Sequence, residues 1–141
     1  MKESLDQQRA RFAWERVQKQ RVQIQGDKYA KYVKFAKGAP ALIMQSGLMP
    51  VLAFMNEKSE KHHEALRDDL CVWLQKRFRT QISVSDFHAV MAALMGKEQG
   101  DAAAQAQFYR MATDEALALL RWIRQFAAAV GEKRQGENQH A

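Results

Sequence analysis

Few residues in this chain are of types that do chemistry, and their spacing decides what each can do. Glu60 and His63 form one Glu-x-x-His, a step that sets both side chains on one helix face, as in di-iron bundles. Such a centre needs two of these pairs plus two further carboxylates. The other match, Glu137 with His140, sits in a polar tail with no apolar face. Glu60 and His63 therefore read as solvated surface residues, and no metal is expected. Cys71 stands in Leu70-Cys71-Val72-Trp73-Leu74, where burial would raise its thiol pKa and slow its reactions. It reads as a packing residue. His88, in Ser85-Asp86-Phe87-His88, reads as packed or hydrogen-bonded locally. No phosphate-cradling glycine loop, G-x-S-x-G elbow, HExxH or paired CxxC occurs. The expectation is a protein that is not an enzyme and carries no cofactor.

Basic residues are the remaining candidates. Twenty-two Lys and Arg against sixteen Asp and Glu leave +6. Residues 1–40 hold ten of the basic side chains and four of the acidic ones, so the whole excess lies there and the other 101 residues are neutral. Lys31, Lys34 and Lys37 recur every third residue, and Arg9 and Arg16 are seven apart. Cations spaced along a face suit a nucleic-acid backbone, where each neutralised phosphate releases counterion. Arg9, Arg16, Lys31, Lys34 and Lys37 are thus the candidate RNA-binding residues. Tyr29 and Tyr32 are capable of stacking on bases, but they share a face with Val33 and Ala36 and read as core.

The elements that position these residues read as helices throughout. With 141 residues, two prolines and no alternating apolar run, the composition points to one all-α bundle of about six or seven helices over 1–131, followed by a polar tail, 132–141, expected to fray. Ser4 and Gln7 form a capping box for a first helix, with Ala10, Ala13, Trp14, Val17 and Ile24 on its inner face and Gly26 at its end. A short amphipathic helix runs from Lys28 to Lys37. Gly38 ends it and Pro40 opens a new first turn, leading into a buried apolar segment, Ala41 to Gln45. Gly47 breaks the chain again before Pro50. Ser59 or a neighbour opens a helix with Leu66, Leu70, Trp73 and Leu74 inward; Ser85 caps another that Gly96 stops; and Asp101 begins a last one to Val130, with a possible break at Thr113. Leu48, Met49, Met55, Phe78 and Trp122 read as core residues, with exposed anchoring to neighbours as the alternative. One cysteine excludes a disulfide framework and points to a reducing compartment, expected to be the cytoplasm. No run approaches the ~18–20 apolar residues that span a bilayer.

The stretch from Tyr32 to Phe54, with Pro40, Ile43, Gly47, Leu48 and Leu52-Ala53-Phe54, resembles the signature segment of the small helical subunit of the type III-B CRISPR effector, the Cmr complex. The stretch from Glu115 to Ala127, with Leu119, Leu120 and Trp122, is similar to that family's closing helix. The resemblance implies a non-catalytic subunit that stacks with further copies of itself beside a larger filament carrying guide RNA. Its partners would be the other Cmr subunits, the guide RNA and the target RNA, with no membrane. The alternative is a stand-alone helical nucleic-acid-binding regulator. It requires a helix-turn-helix with a basic recognition helix, and the apolar flanks of Gly47 argue against that.

Overall fold

The structure, a computed structural model, describes residues 2–131. The expectations for the tail beyond residue 131, including Glu137 and His140, lie outside the described residues. Six helices form: α1 (Leu5–Gln23), α2 (Asp27–Ser46), α3 (Leu48–Lys58), α4 (Lys61–Arg77), α5 (Phe87–Met95) and α6 (Ala102–Val130). No strand occurs among the described residues. The longest helix, α6, packs along α1 and α2; α4 lies against α2 and α3; α5 fits between α4 and α6. None of these helices is long and apolar enough to cross a membrane.

Helix ends follow local chemistry. Ser4 Oγ accepts from the Gln7 amide at 3.1 Å while Gln7 Oε1 accepts from the Ser4 amide at 2.9 Å, completing the expected capping box. Asp101 caps α6 by accepting from the amides of Ala103 and Ala104. Two expected boundaries shift, and a third resolves to one of its alternatives. Asp86, rather than Ser85, caps α5 through the Ala89 amide. Of Ser59 and its neighbours, Glu60 is the one that precedes α4, while Ser59 itself is the left-handed end of α3 (φ 59°). Helix α6 runs through Thr113, whose hydroxyl donates to the Tyr109 carbonyl at 2.8 Å.

A larger correction concerns α2, which continues through Gly38 and Pro40 as one helix of 20 residues. Tyr29, Tyr32, Ala36, Ala39 and Ile43 alternate three- and four-residue steps without interruption, and all are buried. Gly and Pro cost about 1 and 3 kcal/mol in a helix interior. Burial of Ile43 and of Leu48 just beyond, about 1.5–3 kcal/mol each, offsets this. The segment from Ala41 to Gln45 is accordingly not buried as a whole: Ile43 is inward, while Met44 is 76% exposed. The break falls at Gly47 instead (φ 98°), where a Cβ would sit 3.2 Å from Tyr109 Oη. That hydroxyl accepts from the Met49 amide at 3.0 Å, docking the α2–α3 turn on α6.

The core includes Tyr29 and Tyr32, as their spacing predicts, and also Leu48, Met55 and Phe78, with Met49 and Trp122 half-buried. Large apolar side chains left exposed include Val22, Met44, Val84, Met95 and Met111. On α1 the inner face is Phe12, Ala13, Val17 and Gln20, so Trp14 is half-exposed and meets Phe126 edge-on at 5.3 Å.

Two carboxylates inside the bundle join its helices. Asp69 of α4, with no exposed surface, accepts from Arg16 Nε (2.8 Å) and Gln20 Nε2 (3.0 Å) of α1 and from the Tyr32 hydroxyl (2.6 Å) of α2. Burial pushes the Asp69 carboxyl up, while the Arg16 charge and the three donors pull it back. Glu115 of α6 accepts from Arg9 Nε and Nη2 of α1 at 2.7 and 3.0 Å and from Trp73 Nε1 of α4 at 3.0 Å. Removing one partner of a buried pair strands the others without water. Asp69→Ala is therefore expected to lower unfolding stability by about 3 kcal/mol or more in urea denaturation; a loss below about 1 kcal/mol would show that Asp69 does not hold these helices together.

Candidate nucleic-acid interface

The five candidate cations divide by helix. Arg9 and Arg16, on α1, face inward and are committed to Glu115 and Asp69. Arg16 also lies 5.8 Å over the Phe12 ring, and Arg9 reaches Asp6 at 3.4 Å. Burial would raise the Glu115 carboxyl, yet the hydrogen bonds of Arg9 and Trp73 and the charges of Arg9 and Arg77 outweigh it and hold it below the ordinary value. Arg77 Nε contributes as an ion at 3.3 Å, without hydrogen-bond alignment. Elsewhere on α1, Arg11 pairs with Glu3 and Arg21 donates to the Gly131 carbonyl.

Helix α2 keeps its cations outside. Lys31, Lys34 and Lys37 are exposed and make no ion pair with the described residues. At about 100° per residue, Lys34 stands opposite the buried stripe of Tyr29, Tyr32 and Ala36, with Lys31 and Lys37 about 60° to either side of it. They span about 9 Å of helix axis. The structure thus joins the three lysines on one outer face and sets Arg9 and Arg16 apart from them.

The remaining candidates occupy other surroundings. Cys71 is buried, and burial pushes its thiol up to about 12, as a packing role requires. His88 is exposed beside Phe87, with ring centres 5.6 Å apart. Glu60 is exposed, but His63 is not a solvated residue: only 7% of it is exposed, and it packs between Phe35 and Phe54. The signal for this was Phe35 and Phe54 flanking the same core, which only the α2–α3–α4 packing reveals. Among the described residues no group of three or more His, Cys, Asp or Glu is placed to hold a metal. A groove of about 790 Å³ between the 80–83 connection, α5 and the start of α6 mixes apolar residues, among them Ala92 and Phe108, with polar ones such as Gln81, Lys97 and Gln105, and has no histidine or cysteine among its lining residues.

A family model described as CRISPR-associated protein (Cas_Cmr5) matches residues 5–130. The chain is also similar to a protein of Thermus thermophilus named CRISPR system Cmr subunit Cmr5. The two are 30% identical over 126 residues, covering 88% of this chain and 93% of that protein.

The two adjoining histidines make stability depend on pH. Burial lowers both His62 and His63; the neighbouring His63 and Lys31 charges add to it at His62 and Lys58 at His63, against a raising pull from Glu60. As pH falls below about 6.5 the unfolded chain takes up protons that the folded chain resists. Their contribution to stability is therefore complete above about 6.5 and is lost as pH falls toward the lowered folded values. Thermal melts between about pH 7.5 and 5 are expected to show a shallower acid decline in His63→Phe than in the unaltered chain. Identical slopes would show that this histidine does not contribute to the decline.

Proposed function

The chain belongs to the CRISPR-associated Cmr5 family, as a small subunit of the type III-B Cmr complex, and we propose that it is a non-catalytic scaffold whose α2 lysines meet RNA phosphates. Lys31, Lys34 and Lys37 carry this reading, because they are exposed and unopposed among the described residues while the α1 arginines are paired. Arg9 and Arg16 enter it as posts that fix α1 against α4 and α6. The partners are other Cmr subunits, further copies of this chain and the guide and target RNAs, in the cytoplasm. A row of copies needs two unlike surfaces for its neighbours, since head-to-tail contacts propagate. Met44 on α2 and Met95 and Met111 toward the α5–α6 side are exposed apolar side chains suited to such contacts.

The regulator alternative fits less well. A recognition helix would follow the Gly47 turn, yet α3 carries a single cation, Lys58, at its far end and buries Leu48, Val51, Leu52 and Met55.

Phosphate contacts are tolerant of sequence and sensitive to salt. In filter binding with single-stranded RNA, joint replacement of Lys31, Lys34 and Lys37 by Glu is expected to abolish binding with helicity intact. Lys34→Gln alone should flatten the log–log salt slope by about 0.7. Arg16→Gln should leave the slope as in the unaltered chain and lower the unfolding midpoint. Undiminished RNA binding by the triple variant would overturn the assignment of the α2 face.

A further inference from the structure

Where α2, α3 and the start of α4 meet, four rings from three helices converge. Phe35 of α2 lies 4.8 Å from His63 and 5.9 Å from His62, and Phe54 of α3 lies 5.4 Å from His63, measured between ring centres. The two imidazoles are 4.0 Å apart at a 38° tilt. His63 Nδ1 is buried and has no hydrogen-bond partner among the described residues. A buried polar atom without a partner is costly to keep, and pure packing would be served at lower cost by an apolar ring.

The rim of this cluster is cationic. Lys58 Nζ sits 5.4 Å over the Phe54 ring, and the Lys31 charge acts on His62. Lys31 is the first of the three lysines already described, and Phe35 follows it by one helical turn on α2. Glu60, with its side chain 56% exposed, lies 4.0 Å from His62. Helix α4 also starts here with no side chain capping its first amides. Phe54 is 38% exposed, so one ring of the cluster is reachable from solvent. Aromatic faces with cations beside them suit a planar ring attached to a phosphate, whereas an apolar peptide side chain would leave the cationic rim unused.

We propose that Phe54, backed by Phe35, His62 and His63, stacks an unpaired nucleobase of the RNA held by the α2 lysines, with Lys58 on the adjoining phosphate. This rests on the RNA-binding reading above. It adds to that reading a subsite that responds to the base, where the lysines respond to charge alone.

The test compares three probes on the full chain: fluorescent oligoadenylate, an abasic oligonucleotide of the same length, and inorganic polyphosphate. The unaltered chain is expected to bind oligoadenylate most tightly. Phe54→Ala should weaken oligoadenylate about tenfold and leave the other two probes unchanged, while Phe54→Tyr, which keeps a stacking ring, should stay within about twofold of the unaltered chain. Far-UV circular dichroism confirms that each variant is folded, and the tyrosine variant carries the test if the alanine variant is not. Equal affinity of the unaltered chain for oligoadenylate and the abasic strand, equal weakening of all three probes by Phe54→Ala, or a tenfold loss in folded Phe54→Tyr would overturn the stacking site alone. Intact RNA binding by Phe54→Ala with loss of assembly into the Cmr complex would overturn it in favour of a protein contact. Failure of the unaltered chain to bind any probe would overturn the RNA-binding reading with it.

Discussion

A carboxylate sealed from water must find its donors within the protein, and Asp69 imposes that demand on three helices at once. Arg16 and Gln20 fix α1 against it and Tyr32 fixes α2, so their relative rotation is set by donor geometry as well as by apolar contact. Glu115 repeats the device between α6, α1 and α4 through Arg9, Trp73 and Arg77. A helix surface rich in alanine and leucine tolerates several rotations at similar cost. Buried ions do not, because each wrong register leaves a charge unpaired.

This internal demand also sorts the surface charge. Arg9 and Arg16 of α1 turn inward to neutralise the two carboxylates, while Lys31, Lys34 and Lys37 of α2 stand on the face opposite its buried tyrosines. The chemistry of the two side chains suits the division. A guanidinium presents a fork of donors to a carboxylate and is the more weakly hydrated, whereas an ammonium keeps its water more strongly and remains outside. The basic excess of the N-terminal third therefore has two destinations, one architectural and one available to an anionic partner.

Much of the fold was legible in the residues. The Ser4 and Gln7 cap, the Gly96 stop, the inward tyrosines of α2 and the Asp101 start of α6 follow from local chemistry, and local chemistry was enough. Gly38 and Pro40 misled because both are usual helix breakers, and here the buried stripe continuing through Ala39 and Ile43 outweighs them. Gly47 carried a true signal with a second, hidden cause: besides its positive φ, the Tyr109 hydroxyl, sixty residues from Met49 in sequence, crowds the place a Cβ would take. His63 looked like a surface residue because its own helix gives it acidic and basic neighbours, while Phe35 and Phe54 come from two other helices.

By itself, the sequence determined the helical class, most helix ends, the placement of the excess charge and the segment resembling the Cmr small subunit. These depend on interactions within a few residues, where spacing along the chain is distance in space. The tertiary structure alone decided which cations are spent, which histidine is buried and which aromatic rings meet. Those outcomes join residues 53 positions apart for Arg16 and Asp69 and 106 for Arg9 and Glu115. Over such separations no local periodicity names the partner; it is chosen by the packing that excludes water from the carboxylate.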